Sequence, residues 1–128
     1  MPAFGGEFNP PETDPMPTLH ELYNEADKLK DQGQFDEAIA KLKEALAQDE
    51  KYTLAHLALA VLYQRVKNFE LSVQHGQRAC EIDPNEPFNF TAMSVTYQRA
   101  FAGTQNRQYI QLAEDAMAKA HLLQGRRG

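Results

Sequence analysis

Four histidines and one cysteine are the residues of this chain that could bind a metal or act in catalysis. The histidines are His20, His56, His75 and His121, and the cysteine is Cys80. A metal site or a catalytic pair on a helix needs such residues three or four positions apart. None of the histidines has that spacing to another histidine or to Cys80, and we expect them on separate, distant helices. The sequence therefore predicts no metal, no cofactor and no enzyme.

The remaining polar residues have structural explanations. His56 is expected to be a hydrogen-bonded core histidine, and Cys80 is expected to be a buried apolar thiol. The acidic pair Asp36 and Glu37 opens a predicted helix, where negative charge favours the helix dipole. No glycine-rich motif for phosphate binding is present.

Composition limits the class of protein. The 128 residues are 42% hydrophobic and 24% charged, which is typical of one globular domain. The net charge of −5 opposes binding to nucleic acid or to anionic membranes. No apolar run is long enough to span a membrane, and no secretory signal is recognisable. With a lone cysteine as well, we expect a cytoplasmic protein without nucleic-acid or membrane partners.

Helical periodicity begins at Thr18. Residues 1–17 contain five of the seven prolines and predict an extended arm. From Thr18 onward the pattern predicts six helices and no strands, with breaks at residues 31–34, 50–52, 67–68, 83–87 and 103–106. Thr18 and Glu21 have the spacing of a capping box for the first helix.

The helical region repeats itself at an interval of 34 residues. Val61-Leu-Tyr-Gln-Arg65 recurs as Val95-Thr-Tyr-Gln-Arg99, and small residues align at Ala26, Ala60 and Ser94. In the third copy the second helix is displaced by seven more residues. Small residues allow two helices to approach closely, and stacking of such units completes a core that one pair cannot form alone.

This pattern resembles the tetratricopeptide repeat family, whose unit is a helix-turn-helix of 34 residues. The second unit matches best, through Leu59-Ala60-x-x-Tyr63, Ser72-x-x-x-Gly76, Ala79 and Asp83-Pro84. The resemblance implies an all-α, right-handed α-solenoid of three repeats at residues 18–51, 52–85 and 86–124, with a tail at 125–128. Gly76 departs from the family, which favours a large residue there.

An apolar stripe remains on the first helix of each repeat after its packing residues are assigned. The resemblance implies that this stripe lines a concave groove that binds a peptide or helix of a partner protein. The predicted groove residues are Tyr23, Asp27, Lys30, Leu54, Leu57, Val61, Arg65, Phe88, Thr91, Val95 and Arg99. Some relatives clamp the C-terminal carboxylate of chaperones there with lysines and asparagines. This chain lacks that clamp, which disfavours a chaperone tail as partner.

Three functional hypotheses follow. The first is an adaptor that binds a protein segment in the groove, although curvature or the arm could cover the stripe instead. The second is a self-assembling scaffold that uses the arm, through Phe4 and Phe8, or the uncapped last helix, through Leu122 and Leu123. The third, an enzyme or metal protein, is opposed by the scattered histidines. The insertion at residues 103–107 is interpreted as an inert loop.

Overall fold

Six α-helices make up the computed structural model, which describes residues 16–127 and contains no strand within that range. The helices are α1 (Leu19–Asp31), α2 (Phe35–Gln48), α3 (Thr53–Arg65), α4 (Phe69–Ile82), α5 (Pro87–Thr104) and α6 (Gln108–Arg127). The predicted all-α architecture of six helices is confirmed. The side chain of Arg127 lies outside the described part, as do residues 1–15.

Local sequence fixes the ends of several helices. Thr18 forms the predicted capping box: its hydroxyl accepts a hydrogen bond from the Glu21 amide, and the Glu21 carboxylate accepts one from the Thr18 amide. Asn68 caps α4 by accepting from the Leu71 amide. Pro87 opens α5, where its missing amide hydrogen costs no helical bond.

The helices pack as three successive pairs that stack on one another. Each pair is a helix-turn-helix, α1 with α2, α3 with α4, and α5 with α6. Neighbouring pairs touch through α2 with α3 and through α4 with α5. The first helices also contact each other directly, α1 with α3 and α3 with α5, whereas the described second helices do not. The first helices therefore line one continuous face of the stack.

The helices of the second pair and those of the third pair cross closely through one serine and one alanine, and the helix that contributes the serine differs between the two pairs. In the second pair, the Ser72 hydroxyl of α4 donates to the Ala60 carbonyl of α3 at 2.6 Å. In the third pair, the equivalent of Ala60 is Ser94, and its hydroxyl donates to the Ala113 carbonyl of α6 at 2.9 Å. One serine and one alanine at each crossing let the helices approach while satisfying the buried hydroxyl.

Buried apolar residues form two clusters. The first joins α1, α2 and α3 around Leu22, Leu42 and Leu59, which are fully buried. The second joins α4, α5 and α6 around Met93 and Tyr97. The boundary between the clusters falls within the second repeat, where the partly buried Leu71 of α4 packs against the first cluster and Val73 of α4 belongs to the second.

The seven inserted residues of the third repeat are mostly helical. Helix α5 has 18 residues where α3 has 13, and Gly103 near its end lies directly against the ring of Phe69 on α4. A side chain at position 103 would collide with that ring. At the other end of the repeat, α6 continues through Arg127 and so includes most of the segment predicted as a tail.

Candidate functional site

The face formed by α1, α3 and α5 contains two adjoining cavities of about 360 and 280 Å³. All eleven residues predicted for the groove line one or both of them: Tyr23, Asp27, Lys30, Leu54, Leu57, Val61, Arg65, Phe88, Thr91, Val95 and Arg99. Leu57, Val61 and Phe88 line both, as does Ala92, so they form the ridge between the cavities. The sequence-based selection thus identifies residues that lie together in space.

Large apolar side chains are exposed along this face. Phe88 is 61% exposed, Val61 47% and Leu54 46%, and Val95 is also exposed. Each comes from a first helix, at positions that neither pack within the pair nor face a neighbouring repeat. A continuous apolar surface of this kind, bordered by polar residues, is typical of a protein-interaction site.

Three cationic side chains border the groove, and each of them has different contacts. Lys30 forms an ion pair with Asp27 at 3.3 Å. The Arg65 guanidinium lies over the Phe35 ring, 4.8 Å from its centre, which fixes its position by a cation–π contact. Arg99 is exposed and has no ion-pair or hydrogen-bond partner within residues 16–127. The Arg99 guanidinium is therefore available to pair with an anionic group of a ligand.

Further residues line the groove that the sequence-based prediction did not include. Gln64, Ala92 and Thr96 belong to the cavity walls, and Gly76 and Met93 belong to the larger cavity. Met93 fills the space left by Gly76: its sulfur lies 2.7 Å from where a Cβ on Gly76 would stand. The departure from the family at Gly76 is therefore compensated across the interface by a side chain of the next repeat.

The histidines are not all isolated, and this corrects the sequence-based expectation. The Nδ1 atoms of His56 on α3 and His75 on α4 lie 3.0 Å apart. The His56 Nε2 atom lies 2.8 Å from the Glu50 carbonyl oxygen, so it donates there, and its Nδ1 accepts the hydrogen of His75. The His75 ring also stacks on Tyr63. The spacing along one helix does not predict this pair, because the two histidines are 19 positions apart and lie on the two helices of a hairpin.

Burial affects the titration of this group. Desolvation lowers the pKa of His75 to about 4, with the neighbouring charges of His56 and Lys43 acting in the same direction. Close by, hydrogen bonds from Arg78 lower the pKa of Glu50 to about 2, and Arg78 contacts both carboxylate oxygens at 2.7 Å. At neutral pH His75 is thus uncharged, and it lies close to the exposed ion pair of Glu50 and Arg78.

Cys80 is a half-buried thiol without features of a nucleophile. Its sulfur lies 3.5 Å from the Asn89 carbonyl oxygen, and burial raises the pKa of the thiol to about 11. A thiol with a raised pKa carries little thiolate at neutral pH. No group of three or more metal-binding side chains occurs in residues 16–127, and none of the helices described there could cross a membrane.

The residues proposed for self-association lie in different environments. Leu122 on α6 is 52% exposed, whereas Leu123 next to it is buried in the third repeat. Leu123 is therefore unavailable to another molecule in this conformation. Phe4 and Phe8 lie outside the described residues.

Comparison with known proteins agrees with the geometry. Residues 26–67 match the model of the TPR repeat family. One similar structure is the second TPR of Spaghetti (RPAP3) bound to the HSP90 peptide SRMEEVD, with 17% identity and a TM-score of 0.67 over 83% of this chain and 92% of that chain. Another is MamA, with 14% identity and a TM-score of 0.72 over 87% of this chain. The alignment spans 61% of the MamA chain. No curated protein matches the sequence significantly.

Proposed function

Because the chain is a tetratricopeptide-repeat protein of three repeats, we propose that it is a non-enzymatic interaction module whose groove binds an apolar segment of a partner protein. The observation that carries this proposal is the exposed row of Leu54, Val61, Phe88 and Val95 across two adjoining cavities. Exposing these side chains to water costs free energy that a bound segment would recover. The Spaghetti (RPAP3) domain, which has the same fold, is bound to a peptide.

The groove favours a ligand with two apolar side chains. Each cavity can hold at least one such side chain, and the ridge at Leu57, Val61 and Phe88 separates them. Arg65 and Arg99 then lie beside the larger cavity, where an acidic residue or a carboxylate of the ligand would pair with the free Arg99. Both an extended peptide and a helix satisfy these contacts.

Peptides selected from a random library displayed on phage test this proposal. We expect binders with two apolar residues, and we expect Phe88→Glu to weaken their binding about tenfold or more, because it places a charge in the apolar groove. The matched control is Leu122→Glu, which changes an equally accessible residue on α6. Circular dichroism verifies that both variants keep their helices. Selected peptides that bind the Phe88→Glu variant as tightly as the wild type would refute groove binding.

The chaperone peptide provides a specific negative test. The groove has Asp27, Leu57 and Thr91 at positions where lysine and asparagine would be needed to hold a terminal carboxylate. We therefore expect SRMEEVD, the peptide bound to the Spaghetti (RPAP3) domain, to bind much more weakly than the selected peptides. Comparable affinity would show that Arg65 and Arg99 replace the clamp.

A self-assembling scaffold is the alternative. Leu112 and Leu122 on α6 are exposed, which favours this reading, although the burial of Leu123 reduces the available apolar area. Light scattering over a wide concentration range separates the two functions: a constant mass of 14.5 kDa contradicts a scaffold, and a concentration-dependent increase supports it.

A further inference from the structure

The outward face of the third repeat, on the side away from the second, contains a third cavity of about 390 Å³. It lies between α5 and α6 and is lined by Ser94, Gln98, Phe101, Tyr109, Ile110, Ala113, Glu114 and Met117. We call this surface the end face. Ile110 is 39% exposed there, and no element within residues 16–127 covers the cavity.

The second repeat shows what a surface of this type accommodates. Its residues Ala60, Ser72 and Gly76 correspond to Ser94, Ala113 and Met117 of the end face through the repeat. In the second repeat this surface is covered by a helix, α5, whose Met93 and Thr96 contact Gly76. The end face therefore corresponds, position by position, to a surface that packs against one more helix.

The first repeat, at the opposite end of the stack, does not need a helix to cover its outer surface. On α1, the positions that correspond to Met93 and Thr96 are Glu25 and Lys28, and both are exposed. Glu25 forms an ion pair with Lys41 of α2 at 3.2 Å. The first repeat thus presents a charged surface to solvent, whereas the last repeat presents an apolar cavity.

Two differences from the second repeat specify the helix that would fit. Met117 is at the position that corresponds to Gly76. In the second repeat the Met93 side chain projects from α5 towards Gly76, whereas in the third repeat the Met117 side chain projects outward from the end face. An incoming helix must therefore place a small residue opposite Met117. Glu114 replaces Val73 and is the one charged residue that lines the cavity, with no partner in the described part of the chain. A cation on the incoming helix would pair with it.

From these features we propose that the end face binds an amphipathic helix of a partner protein, with a small residue facing Met117 and a lysine or arginine facing Glu114. A second copy of this chain fits poorly. Two end faces placed together by a two-fold axis would offer each other Met117 and Glu114, where the fit requires a small residue and a cation. Head-to-tail stacking would place the charged Glu25 and Lys28 of one copy, which correspond to Met93 and Thr96, against the apolar cavity of the next copy, where burial of their charges is costly.

A synthetic peptide based on α5 serves as the probe. It comprises residues 87–104 with Met93→Ala, which gives the small residue opposite Met117, and Ala100→Lys, which gives the cation. Position 100 is chosen because Ala100 of α5 belongs to the same apolar cluster as Val73 of α4. Glu114 is the residue of the third repeat that corresponds to Val73. We expect this peptide to bind the full chain, measured by fluorescence anisotropy, and to become helical when bound.

Matched variants identify the site. Ile110→Glu and Glu114→Lys should each weaken binding about tenfold, and a second peptide with Ala100→Glu should prefer the Glu114→Lys variant over the wild type. Val95→Glu is the control, because Val95 has the same 39% exposure as Ile110 but lies in the groove. Unchanged binding to Val95→Glu is expected.

Three results would overturn the proposal. The first is absence of peptide binding to the wild type. The second is loss of binding in Val95→Glu with retention in Ile110→Glu, which would assign the peptide to the groove. The third is a stable dimer in light scattering that dissociates in Ile110→Glu, which would make a second copy the occupant of the end face.

Discussion

The contact between His56 and His75 is the most unusual side-chain pairing in the described structure. It bridges α3 and α4 where the two apolar clusters meet, and it continues through the stacked ring of Tyr63. Neutral rings share one hydrogen across this contact, whereas protonation of His75 would bury a positive charge that desolvation disfavours. The stability of the crossing should therefore depend on pH.

We expect the melting temperature to fall as the pH decreases from about 6.5 to about 4. The folded protein lowers the pKa of His75 to about 4 from an ordinary value of 6.5, so the unfolded chain binds more protons between these values. The stability contributed by neutral His75 is complete above that window and is lost as the pH falls through it. Thermal denaturation of wild type and His75→Gln at several pH values measures the effect.

The slope of melting temperature against pH should be smaller in His75→Gln. The matched control is His20→Gln, because His20 is an exposed residue on α1 that lies outside the pair. Glu50 acts in a more acidic window: its pKa is lowered from 4.5 to about 2, so the stability that it contributes is lost as the pH falls from about 4.5 to about 2. Parallel slopes for wild type and His75→Gln would contradict the assignment of the effect to His75.

At the scale of single helices, the helical periodicity and its breaks predict the number, type and approximate limits of the elements. The small residues at Ala60 and Ser94 identified the crossings, because close approach of two helices leaves room for little else. The contact of His56 with His75 and the filling of Gly76 by Met93 could not be predicted. Both depend on side-chain placement across two helices, about which the spacing along one helix gives no information.

The groove residues illustrate the same limit. Their grouping on one face could be predicted, because positions related by the repeat share a direction in a regular stack. The pairing of Arg65 with the Phe35 ring and the free state of Arg99 required coordinates.

The turns inside the hairpins offer a test at this scale. Gly33 in the first hairpin and Lys67 in the second both have positive φ values, of 79° and 67°. Glycine adopts this left-handed conformation freely, whereas a residue with a side chain is strained by it. We expect Lys67→Gly to stabilise the protein by about 0.5–1 kcal/mol, measured by urea denaturation.

Lys51 provides the comparison for this substitution. It lies in the loop between α2 and α3 and is not among the residues with positive φ. Lys51→Gly should therefore reduce stability, because glycine there only increases the freedom of the unfolded chain. Equal effects of the two substitutions would show that the conformation at residue 67 is not strained.

At the scale of the whole molecule, the core divides differently from the sequence. The sequence has three repeats, but the apolar clusters join α1 to α3 and α4 to α6, so the second repeat is shared between them. The clusters meet at the crossing of α3 and α4, through Ala60, Ser72 and the histidine pair. Apart from the direct contact of α3 with α5, cooperative unfolding of the whole stack depends on this crossing, because repeat proteins transmit stability between neighbouring units.

A matched pair of substitutions tests this arrangement. Ala60→Leu overpacks the crossing between the clusters, and Ser94→Leu overpacks the equivalent crossing inside the second cluster. Each should cost about 1–3 kcal/mol, because Ala60 and Ser94 are buried at close helix crossings, where a larger side chain forces the two helices apart. Only Ala60→Leu should uncouple the clusters, so its urea transition, followed by circular dichroism, should broaden to a lower m-value while that of Ser94→Leu keeps the wild-type slope. Hydrogen exchange should then show α1 to α3 and α4 to α6 opening separately in Ala60→Leu. Equal broadening in both variants would mean that the three repeats, and not the two clusters, are the units of cooperativity.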